Sequence, residues 1–205
     1  MHTTYPSRTI ASVLVPRTAV STIALMIGFA LFTALAAQIR FYLPGTPVPI
    51  TAQTFAVLLS GAVLGSRSGA GSQLIYWLMG AIGLPVFAQT SGGWAVATGA
   101  TFGYLLGFIV AAWVVGTLAE RGGDRSVRTA IPAFLAGNAI IYLFGVPWLM
   151  LSVPSIDTLA AALAAGLAPF VVGDLIKIVG AGLALPTAWK LTERNSASRL
   201  TAHGE

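Results

Sequence analysis

An aspartate and a lysine stand three residues apart in the apolar run Val172-Gly173-Asp174-Leu175-Ile176-Lys177, which puts a carboxylate and an ammonium on one face of a helix. Either charge costs about 2.5 to 3.5 kcal/mol at the centre of a membrane helix, so the pair must face a bundle interior or a wet cavity. Two readings follow. The pair can neutralise itself and fix helix packing, although a buried pair seldom stabilises more than apolar residues of equal volume. Alternatively it holds a ligand, Asp174 accepting an N–H and Lys177 offering its cation to a carbonyl or carboxylate. If the helix begins near Pro169 on the outer side, Asp174 lies some 7 Å and Lys177 about 12 Å below that end, within reach from outside.

Other polar side chains need partners in apolar surroundings. Thr51 and Gln53 stand at the base of a proline-rich loop, Gln73 and Tyr76 share one apolar stretch, and Asn138 sits in another. Each alone reads as a helix-packing hydrogen bond. As a group, with Asp174 and Lys177, they outline a binding site for a small ligand that is polar at fixed points. Two uncharged outer loops are expected to close over it. Pro47 and Pro49 stiffen the first, whereas Ser91, Gly92 and Gly93 loosen the second.

The elements that must position these residues are membrane helices. Of 205 residues, 56% are hydrophobic and 8% charged, and the apolar residues fill long runs broken by Pro, Gly and Arg rather than one stripe. The whole chain, 1–205, reads as a single all-α membrane domain, a compact six-helix bundle with spans near 19–39, 54–65, 69–87, 101–119, 130–151 and 167–189. The second is short for a crossing and must tilt, extend or be shielded. Residues 34–36, Ala-Leu-Ala, imitate a signal-peptidase site, but the run before them is expected to be a retained first span. Nine basic residues (Arg8, Arg17, Arg67, Arg121, Arg125, Arg128, Lys190, Arg194 and Arg199) fall on the side of the termini and Arg40 falls opposite. Both termini are therefore expected in the cytoplasm.

Several functions are excluded. The net charge of +5 comes from span ends and is not a nucleic-acid footprint. There is no cysteine, both histidines (His2 and His203) lie in the tails, and the spans hold one aspartate, which leaves no catalytic cluster and no metal site. No phosphate-binding loop precedes Lys177 or Lys190, so the chain cannot drive transport with ATP by itself. No cofactor is expected. The lipid bilayer is its solvent and neighbour. Small residues mark helix contacts at Gly61 and Gly65 and at Gly103 and Gly107, and the stripe of Ala30, Ala34 and Ala37 offers a flat surface for another protein.

Several segments resemble the BioY proteins, the substrate-capturing S components of energy-coupling-factor (ECF) vitamin importers. They are Gln38-Ile39-Arg40, Pro47-Val48-Pro49-Ile50-Thr51-Ala52-Gln53-Thr54, residues 61–65, Gly80-Ala81-Ile82-Gly83-Leu84-Pro85-Val86-Phe87, Gly103-Tyr104-Leu105-Leu106-Gly107-Phe108, Gly137-Asn138 with residues 142–148, and Gly173-Asp174-Leu175-Ile176-Lys177. The resemblance implies a six-helix S component of a prokaryotic cytoplasmic membrane that captures biotin at the outer face. Its partners would be a transmembrane coupling protein and ATPase subunits. It assigns Asp174 and Lys177 to the biotin site, puts the 47–54 loop and Gln89 with its loop near the ligand, and gives Ala30 and Ala34 to the coupling surface. Where the family tends to show Gly-Pro-Thr-Gly-Gly-Tyr, this chain has Gly99-Ala100-Thr101-Phe102-Gly103-Tyr104. The alternative is a carrier, or an S component for another small vitamin, working without ATPase partners.

Overall fold

A computed structural model describes residues 9–16 and 18–202, with side chains described as far as residue 192. Arg8, Arg17 and both histidines lie outside the described residues. The described residues are mostly helical. A short helix, α1 (Ile10–Leu14), leads into α2 (Ala19–Gln38), whose N-terminus is capped by the Thr18 hydroxyl accepting from the Ser21 amide at 3.1 Å. The proline-rich segment then pairs two short antiparallel strands, β1 (Arg40–Phe41) and β2 (Ile50–Thr51), and enters α3 (Gln53–Leu64). After α4 (Ser66–Ala81) come a loop with one 3-10 turn and the single-turn α5 (Trp94–Ala97). Helices α6 (Phe102–Glu120), α7 (Val127–Ser152), α8 (Leu159–Gly166) and α9 (Val171–Ala202) complete the fold.

Among the described residues, four apolar stretches are long enough to cross a membrane: α2, α6, α7 and the run Leu159–Thr192. The protein is a multi-pass membrane protein. Helix α3, 12 residues long, is too short to cross alone at about 1.5 Å per residue. It lies inside, packed against α2, α4, α6 and α9, with most of its side chains buried. So short an apolar helix is thus shielded by its neighbours.

Boundaries differ from expectation at two places. The stretch expected over 69–87 is helical only to Ala81, because Gly83 adopts φ +103° and Pro85 follows. The last helix begins at Val171, later than the expected 167, and α8 lies between it and α7.

Close helix approach explains the small residues. A Cβ on Gly61 would lie 2.4 Å from the Ala112 carbonyl of α6, and one on Gly107 would lie 2.9 Å from the Ile141 Cα of α7. Gly65, at φ +88°, turns α3 directly into α4. There Glu120 accepts from the Ser66 amide at 2.8 Å, satisfying an orphan donor at the α4 N-terminus. The alanine stripe of α2 is turned inward. Ala30 and Ala37 are fully buried and Ala34 nearly so, in the packing of α2 on α3 and α4. Ala30 and Ala34 are therefore not the exposed coupling surface expected from the sequence. A stripe of small residues that lets another protein approach also lets the protein's own helices approach, and here the second use wins.

Candidate functional site

Asp174 lies in the first turn of α9, where the helix dipole favours an anion, and Lys177 follows one turn on with its Nζ 2.9 Å from Asp174 Oδ1. The pair is not isolated. Thr54, in the first turn of α3, donates its hydroxyl to Asp174 Oδ1 at 3.0 Å and accepts from Lys177 at 3.1 Å. Lys177 donates its third bond to the Thr51 carbonyl at 2.6 Å. On α7, Asn138 donates to Asp174 Oδ2 at 3.1 Å, and Tyr142, four residues on and so on the same face, donates its hydroxyl to that same oxygen. Each carboxylate oxygen thus receives two donors, and all three ammonium protons have acceptors. Three helices and one strand are tied together at this point, which is how a charge pair with Asp174 only 2% exposed is held at bilayer depth.

The cluster forms one end of a cavity with about 640 Å³ of empty space, part of it open to the outside. Its walls are largely aromatic: Tyr76, Phe87, Tyr104, Phe108, Tyr142 and Phe170 line it. Tyr76 and Phe87 meet edge to face at 5.5 Å, and Tyr142 stands between Tyr104 and Phe170 at 6.4 and 6.5 Å. Thr51, Gln53, Thr54, Asp174 and Lys177 supply the polar end. Gln53 accepts from the Thr51 hydroxyl at 2.9 Å and donates to the Tyr76 hydroxyl at 2.8 Å. Tyr104 anchors the C-terminal end of α8 by donating to the Gly166 carbonyl at 2.8 Å. An apolar, aromatic enclosure with a few converging polar groups suits a small ligand with a flat or fused-ring body and polar ends.

Of the residues expected from sequence, Asp174, Lys177, Thr51, Gln53, Tyr76 and Pro49 line the cavity. Asn138 stands behind Asp174 and is absent from the cavity wall. Gln73 is elsewhere: its amide donates to Thr33, Ser60 and Ser72 at 3.2, 3.0 and 3.2 Å, joining α2, α3 and α4 in a buried packing hub. Pro47 lines a separate groove with Val153 and Ala165, because the chain turns between it and Val48. Gln89 is exposed at φ +63°, and Ser91, Gly92 and Gly93 fold back on α4, Gly93 donating to the Gly80 carbonyl at 2.7 Å. That loop meets the cavity through Phe87 and Ala88, not through its glycines. Gln38 pins it by donating to the Phe87 carbonyl at 3.0 Å and accepting from the Thr90 amide at 3.1 Å.

Tyr142 and the aromatic wall other than Tyr76 are not among the residues expected from sequence, and Thr54 is expected only as the end of the 47–54 loop. Thr54 follows Gln53 directly, and Tyr142 shares the helical face of Asn138, so periodicity could have found both. Phe102, where the chain departs from the family's tendency, meets Trp148 edge to face at 5.0 Å, and the Trp148 indole donates to the Gly99 carbonyl at 2.9 Å. The substitution builds an aromatic brace under that loop.

The model of the BioY family matches residues 7–194. The chain belongs to the BioY family. Relatives within it include the biotin transporter BioY of Thermotoga maritima, 45% identical over 69% of this chain and 80% of that protein. The biotin transporter BioY of Rhodobacter capsulatus is 40% identical over 77% and 88%. The probable biotin transporter BioY of Bacillus subtilis is 36% identical over 84% and 92%. The crystal structure of the S-component for biotin from an ECF-type ABC transporter superposes with a TM-score of 0.75 at 24% identity, covering 86% of this chain and 95% of that one. The BioY chain described above therefore shares the S-component fold.

Proposed function

We propose that this protein captures biotin at the outer face of a prokaryotic cytoplasmic membrane and serves its uptake as the substrate-specific component of an ECF-type importer. It is a transport component and not an enzyme. A coupling protein and ATPase subunits would supply the energy. In this reading α2, α3, α4, α6, α7 and α9 form six crossings, with both termini in the cytoplasm, as the distribution of basic residues supports.

The observation that carries the reading is the aromatic cavity ending in the Asp174–Lys177–Thr54 cluster, in a chain whose relatives are named biotin transporters. Biotin has an apolar fused ring for the aromatic walls, a ureido group with two donors and one acceptor, and a carboxylate tail. Gln53 and Tyr76 form a second polar point beside the charged cluster. Because Lys177 already has three acceptors, a ligand oxygen reaches it only by replacing one. The neutral Thr51 carbonyl or Thr54 hydroxyl is easier to replace than the carboxylate.

Isothermal titration of detergent-purified, ligand-stripped protein tests this, with thiamine and riboflavin as controls. Saturable binding of biotin alone is expected. Heat from a different vitamin, or none from biotin in folded protein, would overturn it. Copurification of coupling and ATPase subunits tests the partnership separately.

A further inference from the structure

Behind the ligand cavity lies a second, shallow concavity between α7 and α9, wide open to its surroundings, with about 1040 Å³ of empty space that includes part of those surroundings. Its sides are apolar: Leu135, Leu143, Val146, Leu163, Leu167 and Leu175 contribute. Its floor is not. Tyr142 and Asp174 line both this cleft and the ligand cavity, so one tyrosine and one carboxylate form the wall between them. Asn138 also lines the floor, and its Oδ1 is buried without a hydrogen-bond partner although the residue is only 9% exposed.

We propose that this cleft holds an acyl chain of a membrane lipid, and that the chain seals the wall behind Asp174. The occupant follows from position and lining. Both flanking helices belong to stretches long and apolar enough to cross a membrane, and more than half of each stretch is not buried within the protein, so hydrocarbon is the surrounding solvent. Water is a poor occupant, because the floor offers few free polar partners where a stable buried water needs two to four. Excluding it keeps the local dielectric low, and the bonds from Tyr142, Asn138, Thr54 and Lys177 to Asp174 are correspondingly strong. A cleft left to water or short detergent would loosen that network and weaken the ligand site from behind.

This inference rests on biotin as ligand for one readout and is independent of it for the other. Protein in phosphatidylglycerol–phosphatidylcholine nanodiscs is compared with delipidated protein in short-chain detergent, as wild type and as Ala139→Trp, whose indole would occupy the cleft that Ala139 lines. Native mass spectrometry should find one more retained phospholipid on the wild type than on the variant. Biotin affinity should fall about tenfold on delipidation of the wild type and hold in the variant. Ala139→Leu, a smaller filler, should give an intermediate result and covers the case in which the tryptophan variant does not fold. Equal lipid retention by wild type and variants, or an equal loss of affinity on delipidation, overturns the proposal, as does a lipid-free dimer in which a second copy covers the cleft. Absence of biotin binding in nanodiscs would sink the functional reading alone, because lipid retention would still decide what the cleft holds.

Discussion

Asp174 and Asp124 are both 2% exposed, yet their surroundings differ. Asp174, on the ligand cavity, receives hydrogen bonds from Lys177, Thr54, Asn138 and Tyr142. Asp124, in the α6–α7 loop at the opposite end, accepts from the Trp189 indole at 2.6 Å through one oxygen, while its other oxygen has no hydrogen-bond partner. Arg125 lies over the Trp189 ring at 4.5 Å. Burial pushes the Asp124 carboxyl above its ordinary value of 3.8, against the lowering influence of the Trp189 bond and Arg125. The comparison separates two uses of a buried acid. Around Asp174 the fold supplies donors from two other helices, as a site for charge requires. Around Asp124 it leaves one carboxylate oxygen without a hydrogen-bond partner, and the bond from Trp189 ties α9 to the loop.

The largest effect that would break this contrast comes from the cavity end. Asp174→Asn or Lys177→Ala should each lower biotin affinity at least about a hundredfold, since removing one partner of a buried pair leaves the other uncompensated at a cost of roughly 3 to 5 kcal/mol. Titration calorimetry reads this, and wild-type affinity in both variants would make the pair purely structural. Next, Tyr142→Phe removes one hydrogen bond to a carboxylate, a contribution of about 1.5 to 3 kcal/mol, and should weaken binding about tenfold or more while the protein stays monodisperse on size exclusion. Tyr76→Phe should cost less, about 0.5 to 1.5 kcal/mol for a neutral hydrogen bond, seen as a several-fold weaker Kd.

The smallest effects belong to the other end and sharpen the contrast. Asp124→Asn should leave biotin affinity unchanged but alter how stability depends on pH. Because the folded carboxyl titrates above its unfolded value, its contribution is fully present below about 3.8 and is lost as pH rises through the raised folded value. The wild type should therefore lose melting temperature relative to Asp124→Asn as pH rises through that range. A constant difference across pH would show that Asp124 titrates normally.

The helical membrane class was legible because hydrocarbon makes composition decisive: a run of apolar residues has no other place to go. The charge pair was legible for the same reason, as two charges at that cost within an apolar run demand explanation. The partners were less so. Gln73 and Gln53 are the same residue type, one inside an apolar stretch and one at the base of a loop, and only packing sends the first to a hub among α2, α3 and α4 and the second to the cavity. Ala30 and Ala34 show the same limit, since a stripe of small residues marks close approach without saying which partner approaches.

By itself, then, the sequence determined that the chain lives in a bilayer, that Asp174 and Lys177 share a helix face, and that Pro44, Pro47 and Pro49 keep the segment between the first two spans from continuing a helix, because each follows from local transfer energies and backbone geometry. Only the tertiary structure decided that Thr54, Asn138 and Tyr142 complete the carboxylate's shell, that the glycine loop reaches the cavity through Phe87, and that the α2 alanines face inward. Those outcomes depend on how helices far apart in sequence rotate against one another, and a rotation is set by the packing of all neighbours at once.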